Sequence, residues 1–180
     1  YIGKKRLYVD DTLTQWEFGK LFADDYLVIF NVLCFRPWLD RNIITTFMIA
    51  KDHRIMHSSN NLAVVTYPKF SEDPVTGNRY PAEINIELNA SEVKVRCRIY
   101  PSEFIETEDL LASIPRYFKS FLRLISGRPR TLYMNAGFSM ELYDQNNNRV
   151  HGNGSGLYEL FVLNDKPARL EDRIRKLLNP

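Results

Sequence analysis

A strict alternation of apolar and charged side chains is the feature that most constrains the fold of this chain. Residues 92–100 read EVKVRCRIY, so that apolar and basic residues fall on opposite faces of an extended strand. Residues 83–88 alternate in the same way, and Asn89-Ala90-Ser91 between the two segments is typical of a short hairpin turn. The pattern predicts a half-buried antiparallel hairpin.

Two other segments, residues 26–35 and 43–50, are apolar on both faces. Strands of an antiparallel sheet with one solvated face do not have this pattern. Their β-branched and aromatic residues favour strands over buried helices. Turn signals recur along the chain and divide it into about nine or ten strands. We therefore expect an all-β, antiparallel barrel with an apolar interior and a covered outer wall.

Two segments are expected to be helical, and the second of them to pack on the outside of the barrel. In the segment of about 106–126, acidic residues surround Thr107, a suitable N-cap, and Pro115 would kink the helix. The segment of about 168–178 places its leucines and isoleucine on one face. We expect a single barrel domain over 1–180, with strands over about 8–100 and 130–163, a kinked helical insertion and a C-terminal helix.

Composition excludes several classes of function. The net charge is +2, so no overall field favours nucleic acid. The histidines lack metal-ligand spacing and no nucleotide-binding fingerprint is present, so we expect neither metal nor cofactor. Cys34 and Cys97 lie in apolar strand patterns and are expected to be buried free thiols, unless their strands face each other as a disulfide requires.

The location of the protein is less constrained by the sequence. No run of about 18 apolar residues is present, which argues against a membrane-spanning helix. Reduced thiols favour the cytoplasm. The basic edge and aromatic residues of 116–125 are typical either of a membrane-surface lid, through which a lipid would enter, or of a helix that simply caps the barrel.

Two carboxylates are candidate proton donors. Asp40 lies in Arg36-Pro37-Trp38-Leu39-Asp40-Arg41 between the two apolar strands, where apolar surroundings would keep it protonated; a salt bridge to a neighbouring arginine is the alternative. Glu159 lies in the strand segment LYELF. If it points inward it needs a hydrogen-bonding partner, which is as compatible with structural bracing as with catalysis.

Aromatic residues supply the candidate ligand-binding site. Aromatic faces suit polyene or terpenoid ligands and stabilise carbocations through their quadrupoles. Core packing is the alternative role for the same side chains. The residues expected to line a pocket are Trp16, Phe18, Tyr26, Trp38, Tyr67 and Tyr133.

Three motifs in this order resemble a known family. They are Trp16-Glu17-Phe18-Gly19 before a long apolar strand, TGNRYP at 76–81, and GNGSGLYEL at 152–160. Together they resemble the second barrel of the lipocalin-like family that includes hydroxyneurosporene synthase (carotenoid 1,2-hydratase) and the AttH-like proteins. The resemblance implies a calycin β-barrel, usually one of two in tandem, and cofactor-free hydratases or cyclases of isoprenoids that act by protonation and confinement.

The chain departs from that family at one motif. Catalytic-looking members carry a His-rich Tyr-His-Asp-His-x-Trp-Gly motif, whereas here the corresponding stretch at 8–13 reads YVDDTL. The sequence thus leaves three hypotheses, namely a barrel that binds a hydrophobic, isoprenoid or lipid ligand, an isoprenoid hydratase, isomerase or cyclase, and a filled structural barrel that docks a sister domain. A second lipocalin-like barrel, in the same chain or in a dimer, is the expected protein partner.

Overall fold

The computed structural model describes residues 13–35, 43–73, 77, 79–91, 93–118, 129–143 and 148–162. These residues form nine strands and almost no helix. The strands are β1 Leu13–Ala23, β2 Tyr26–Phe35, β3 Ile43–Lys51, β4 Arg54–Asn60, β5 Ala63–Glu72, β6 Arg79–Asn89, β7 Lys94–Asp109, β8 Arg130–Tyr143 and β9 Arg149–Val162.

All nine strands belong to one curled antiparallel sheet in the order β4-β3-β2-β1-β9-β8-β7-β6-β5. The eight successive antiparallel pairings give the two edge strands, β4 and β5, the same direction. Only Asn61 and Leu62 separate these strands along the chain. At this seam the Thr45 hydroxyl donates to the Ala63 carbonyl over 2.9 Å, and the Asn61 N–H donates to the Thr45 carbonyl over 2.7 Å. The sheet therefore curls back towards itself as a lipocalin-like β-barrel, as the sequence predicts.

Every second residue of a strand points inward, and these inward side chains fill the interior of the barrel. Twelve large side chains are less than 2% exposed, so no water-sized void borders them. These are Tyr158, Phe30, Phe47, Leu21, Ile49, Ile84, Ile86, Leu88, Ile99, Leu132, Met134 and Met140. In β2 the outward residues are half-buried rather than solvated, which accounts for the strand being apolar on both faces.

The two ends of the barrel differ in the length of their connections. We call the end where β1, β3, β6 and β8 begin the loop end, because the connections 36–42, 73–78 and 110–129 leave from it. At the opposite hairpin end, two-residue turns join β1 to β2 and β3 to β4. Asp24, Asp52 and His53 adopt positive φ angles of 48°, 48° and 64° in these turns. Asp and His tolerate this backbone conformation better than most residues, so these turn residues in the sequence correspond to turns in the structure.

The structure corrects the predicted start of the helical insertion. Residues 106–109 belong to β7, and Thr107 is paired with Leu132 of β8 instead of capping a helix. The long ladder with β8 gives this backbone its hydrogen-bond partners and outweighs the local capping signal. A helical turn occupies residues 116–118. The rest of the predicted insertion and the predicted helix at 168–178 lie outside the described residues.

The glycine pattern of β9 is explained by its neighbour β1. A Cβ atom added to Gly154 would overlap the carbonyl oxygen of Phe22, and one added to Gly156 would overlap that of Lys20. The backbones of the two strands therefore approach too closely for any other residue. Glycines at every second position of a strand are typical of such a close approach of two backbones.

Candidate functional site

The side chain that departs most from the apolar interior is Glu17 in β1. Alternation along this strand turns Trp16 and Phe18 outward and Glu17 inward, on the same face as Leu21. Glu17 is 0% exposed. A carboxyl group buried in this way is costly unless other groups hydrogen-bond to it.

Three side chains from three strands supply those hydrogen bonds. Glu17 Oε1 accepts from Gln15 Nε2 over 2.5 Å and from the Tyr67 hydroxyl over 2.7 Å. Glu17 Oε2 accepts from the Tyr158 hydroxyl over 2.9 Å. Tyr67 also hydrogen-bonds with the thiol of Cys34. We call these five residues the Glu17 cluster; they join β1, β2, β5 and β9 across the interior.

Burial dominates the electrostatics of the Glu17 cluster. It raises the pKa of Glu17 above its ordinary value, and the three hydrogen bonds only partly oppose this. Burial, followed by the charge of Glu17, raises the pKa of Cys34 to about 12 and also raises the pKa values of Tyr67 and Tyr158. The thiol and both phenols therefore remain protonated at neutral pH and serve as donors.

The Glu17 cluster lies towards the loop end of the barrel. Most of the inward apolar side chains that are only partly buried lie towards this end, whereas those of the middle are sealed. Towards the loop end they include Cys34, Tyr67, Ala82, Phe104 and Val162, and towards the hairpin end they include Ala90 and Val150. Arg130, which begins β8, is a buried cation on the same inward face. The loop end thus combines an apolar wall with a small number of polar groups, which is the usual make-up of a ligand site.

Glu159, predicted as a catalytic acid, lies on the outer wall. It is flanked in register by Phe18 of β1 and Tyr133 of β8. Its neighbours in sequence, Tyr158 and Leu160, fill the inward positions. Burial raises the pKa of Glu159, but the side chain is only half-buried and does not face the interior.

The predicted aromatic residues divide between the two faces of the sheet. Trp16, Phe18 and Tyr133 lie outside with Glu159, where Trp16 stacks on Phe161 at 4.8 Å between ring centroids. Tyr26 and Tyr67 both lie inside the barrel, but Tyr67 lies towards the loop end with the Glu17 cluster. Tyr26 is at the hairpin end beneath the Lys51 ammonium group, 5.2 Å from its ring centroid. Trp38 and Asp40 lie outside the described residues.

Sequence reasoning did not single out Glu17. The signal was present, because Glu17 shares its alternation with Gly19, Leu21 and Ala23, all of them apolar. An acid on the apolar face of a strand is a candidate for a buried, hydrogen-bonded carboxyl group. Its partner Tyr67 was predicted as a ligand contact, whereas Tyr158 was noted only within the GNGSGLYEL motif.

The side chains that could ligate a metal are spread over the part of the chain that the structure describes. There, no three His, Cys, Asp or Glu side chains come together as a metal site would require. In the same residues, no helix is long and apolar enough to cross a membrane.

Among solved structures, several longer proteins are similar to this chain over about two-fifths of their own length. Kievitone hydratase from Nectria haematococca matches with a TM-score of 0.54 and 12% identity, over 84% of this chain and 40% of that one. CghA in complex with Sch210972 matches with a TM-score of 0.61 and 11% identity, over 88% and 43%. An AttH-like protein from Nitrosomonas europaea matches with a TM-score of 0.54 and 14% identity, over 87% and 41%.

Neither the family models nor the curated proteins contain a match to this chain. At identities of 11–14% the structural similarity shows the fold alone. The fold and the buried cluster define the class as a lipocalin-like β-barrel with a polar site in an apolar interior. The chain spans less than half the length of the structures it resembles.

Proposed function

We propose that this chain is a lipocalin-like barrel that binds a hydrophobic ligand, isoprenoid or lipid in character, at its loop end. The observation that carries the proposal is the Glu17 cluster, a polar network set into an otherwise apolar interior. A barrel that only needed to be filled would be served better by apolar side chains, because a buried carboxyl group costs desolvation free energy. Such networks are commonly retained where a polar group orients a ligand.

The distribution of burial supports the same end of the barrel. Phe30, Phe47 and Ile49 in the middle border no water-sized space, so a ligand has no room there. Tyr67, Ala82 and Phe104 are partly accessible side chains on the inward face towards the loop end, and Tyr67 belongs to the Glu17 cluster. A ligand at the loop end would meet an apolar wall and the hydroxyl group of Tyr67.

Binding of retinol, a fluorescent isoprenoid alcohol, tests this proposal. We expect saturable binding, with one retinol per chain in native mass spectrometry. Ala82→Phe narrows the loop end and should weaken binding at least about tenfold, because the added ring occupies the ligand's space. Val64→Phe, at a residue 61% exposed on the outer surface, is the matched control and should bind like the parent chain. Absence of saturable binding would instead support the filled structural barrel.

A second candidate function is proton-transfer catalysis on an isoprenoid double bond, and the raised pKa of Glu17 favours it. An acid kept neutral by apolar surroundings can donate its proton at neutral pH. Glu17 is enclosed, so this reaction requires Tyr67 to move aside and expose its carboxyl group. The proton of Glu17 would then form a C–H bond as the π bond breaks, and water would attack the cation. The proton that water loses would return to the Glu17 carboxylate, so that the acid is regenerated. One of the similar structures is, by its name, a hydratase.

Product analysis with a panel of isoprenoid alkenes distinguishes this candidate from simple binding. Hydration adds one water to the alkene, which mass spectrometry detects. Glu17→Gln should abolish the product and Glu159→Gln, on the outer wall, should not. Asp40→Asn completes the set, since Asp40 remains a predicted proton donor outside the described residues. Retention of activity in Glu17→Gln would exclude Glu17 as the donor.

We further propose that the outer wall of β1, β2, β3 and β9 docks a second barrel of the same class. Its outward side chains are mostly apolar, including Phe18, Ile29, Leu33, Met48 and Phe161. The structures that the chain resembles continue for more than its own length beyond the match, which leaves room for such a partner. An apolar sheet face of this extent is typical of an interface.

Sedimentation analysis of the 180-residue chain tests the docking proposal. Without its partner barrel the apolar wall should pair with a second copy, so we expect association that depends on concentration. Leu33→Lys in the wall should weaken this association at least about tenfold, because the interface would have to bury the charge of the lysine. Val64→Lys, elsewhere on the surface, is the control. A monomer at every concentration would count against the wall as a docking surface.

Contact with a membrane surface is a separate proposal, supported by Tyr117 and Phe118. These side chains are 74% and 54% exposed, and their rings lie 4.9 Å apart on the helical turn at 116–118. Exposed aromatic residues of this kind partition into the interface of a bilayer. Co-sedimentation with phosphatidylcholine and phosphatidylglycerol vesicles tests it, with the Tyr117→Ser, Phe118→Ser double variant expected to lose binding.

A further inference from the structure

We infer that the ligand carries an uncharged polar group, a hydroxyl or a carbonyl, which is held by Tyr67 and Gln15, and that the site discriminates against carboxylates. This inference rests on the proposed binding at the loop end. The Glu17 cluster carries it, because Glu17 is enclosed while Tyr67 and Gln15 remain half-buried. A ligand at the loop end can reach these two side chains without reaching Glu17 itself.

The hydrogen bonds within the Glu17 cluster determine what Tyr67 and Gln15 offer to a ligand. The Tyr67 hydroxyl proton is committed to Glu17 Oε1, and its oxygen, which the Cys34 thiol also contacts, has a second lone pair that can accept from a ligand hydroxyl. Gln15 commits one amide hydrogen to the same oxygen, and a primary amide has a second hydrogen that can donate to a ligand oxygen. A hydroxyl group can use both contacts and a carbonyl group can use the second. Both kinds of group are neutral.

A carboxylate fits this place poorly. It would lie one hydrogen-bonding side chain away from Glu17, in surroundings where burial already raises the pKa of that residue. An apolar site disfavours the charged form of any carboxyl group, so a ligand carboxylate would incur a desolvation cost that a neutral group does not. The groups that act on Glu17 are its three neutral donors, Tyr67, Tyr158 and Gln15, and none of these offsets the charge of a ligand carboxylate.

Arg130 is the competing head-group contact in this part of the barrel. It is buried, faces inward at the start of β8 and carries a positive charge. If the ligand's polar group lay against Arg130, a carboxylate would bind more tightly than an alcohol. The two arrangements therefore predict opposite orders of affinity for ligands that share one skeleton.

Retinol, retinal and retinoate provide such a series, and their dissociation constants can be measured at pH 7.5 with the whole chain. We expect retinol and retinal to bind at least about tenfold more tightly than retinoate. Glu17→Gln removes the second carboxyl group and should bring the three dissociation constants together. Tyr67→Phe removes only a hydroxyl and should weaken retinol about tenfold while leaving retinoate unchanged. Glu159→Gln, on the outer wall, should leave the order of affinities as it is in the parent chain.

Each other outcome contradicts the inference in a recognisable way. Equal affinities, or a preference for retinoate that Arg130→Gln abolishes, would overturn the neutral head group while leaving hydrophobic binding at the loop end intact. An order of affinities unchanged in both Glu17→Gln and Tyr67→Phe would exclude the Glu17 cluster as its cause. Failure of all three retinoids to bind would overturn the proposed function together with the inference.

Discussion

The hydroxyl of Tyr158 donates a hydrogen bond to Glu17 Oε2 over 2.9 Å, and both residues are completely buried. The two residues are 141 positions apart in the chain, yet they lie on the paired strands β1 and β9. The ring of Tyr158 also packs against Phe30, with 6.4 Å between ring centroids. One tyrosine thus belongs to the apolar core through its ring and to the Glu17 cluster through its hydroxyl.

The first prediction concerns the stability of this pair. Tyr158→Phe leaves a lone pair of a buried carboxyl group without its donor, so we expect a loss of about 1–3 kcal/mol in the free energy of unfolding. Urea denaturation followed by circular dichroism measures it. Tyr143→Phe is the matched control, because its hydroxyl makes a long contact of 3.4 Å with Glu141 at the surface and should leave the midpoint unchanged. Equal effects in the two variants would argue against a buried hydrogen bond at Tyr158.

The second prediction is a pH dependence of stability that comes from Glu17. Its pKa in the folded chain lies above the ordinary value of 4.5, so the folded state binds more protons than the unfolded state as pH rises above that value. The contribution of Glu17 to stability is therefore complete below 4.5 and is lost as pH rises through the folded pKa. Urea midpoints measured from about pH 4 to about pH 8 should fall more steeply with rising pH for the parent chain than for Glu17→Gln. Parallel slopes would show that the carboxyl group does not titrate with a raised pKa.

The third prediction concerns the close approach of β1 and β9. Gly154→Ala places a methyl group against the carbonyl oxygen of Phe22, which is backbone and cannot rotate away, so we expect a loss of about 2–4 kcal/mol. Gly137→Ala, in β8, is the control, since an added Cβ there has no atom within 4 Å. Thermal melts followed by circular dichroism compare the two. A destabilisation of similar size in both variants would attribute the effect to glycine itself and not to the strand contact.

The fourth prediction concerns the two thiols. Burial raises the pKa of Cys34 and of Cys97 to about 12, and neither forms a disulfide. Labelling by Ellman's reagent at pH 8 should therefore be at least about a hundredfold slower in the folded chain than in urea. Cys34 is only partly buried and should react before Cys97. The Cys34→Ser variant allows the reaction of Cys97 to be measured alone. Rapid labelling of Cys97 in the folded chain would contradict its place in the core.

Local sequence patterns predicted much of the fold. The alternation at 83–99 became the β6–β7 hairpin, and the doubly apolar segments became β2 and β3 with a packed inner face and a largely half-buried outer face. The strand period of two is a local property, so it can be read directly from neighbouring residues. The start of the insertion could not be read in this way, because pairing between Thr107 and Leu132 depends on a distant strand.

The candidate site shows the same division. The sequence indicated that Tyr67 and the aromatic residues matter, but it could not separate the inner face from the outer wall for strands that are apolar on both sides. Only the register of β9 with its two neighbours, β1 and β8, placed Trp16, Phe18, Tyr133 and Glu159 outside together.

By itself the sequence determined an antiparallel barrel, because alternation, turn residues and the glycines of β9 each act over a few neighbouring positions. The tertiary structure decided that Glu17, and not Glu159, is the buried acid. It did so by bringing Gln15, Tyr67 and Tyr158 from three strands to one carboxyl group. A buried carboxyl group needs partners from several directions; the pairing of β1 with β9 supplies Tyr158, and the curling of the sheet supplies Tyr67.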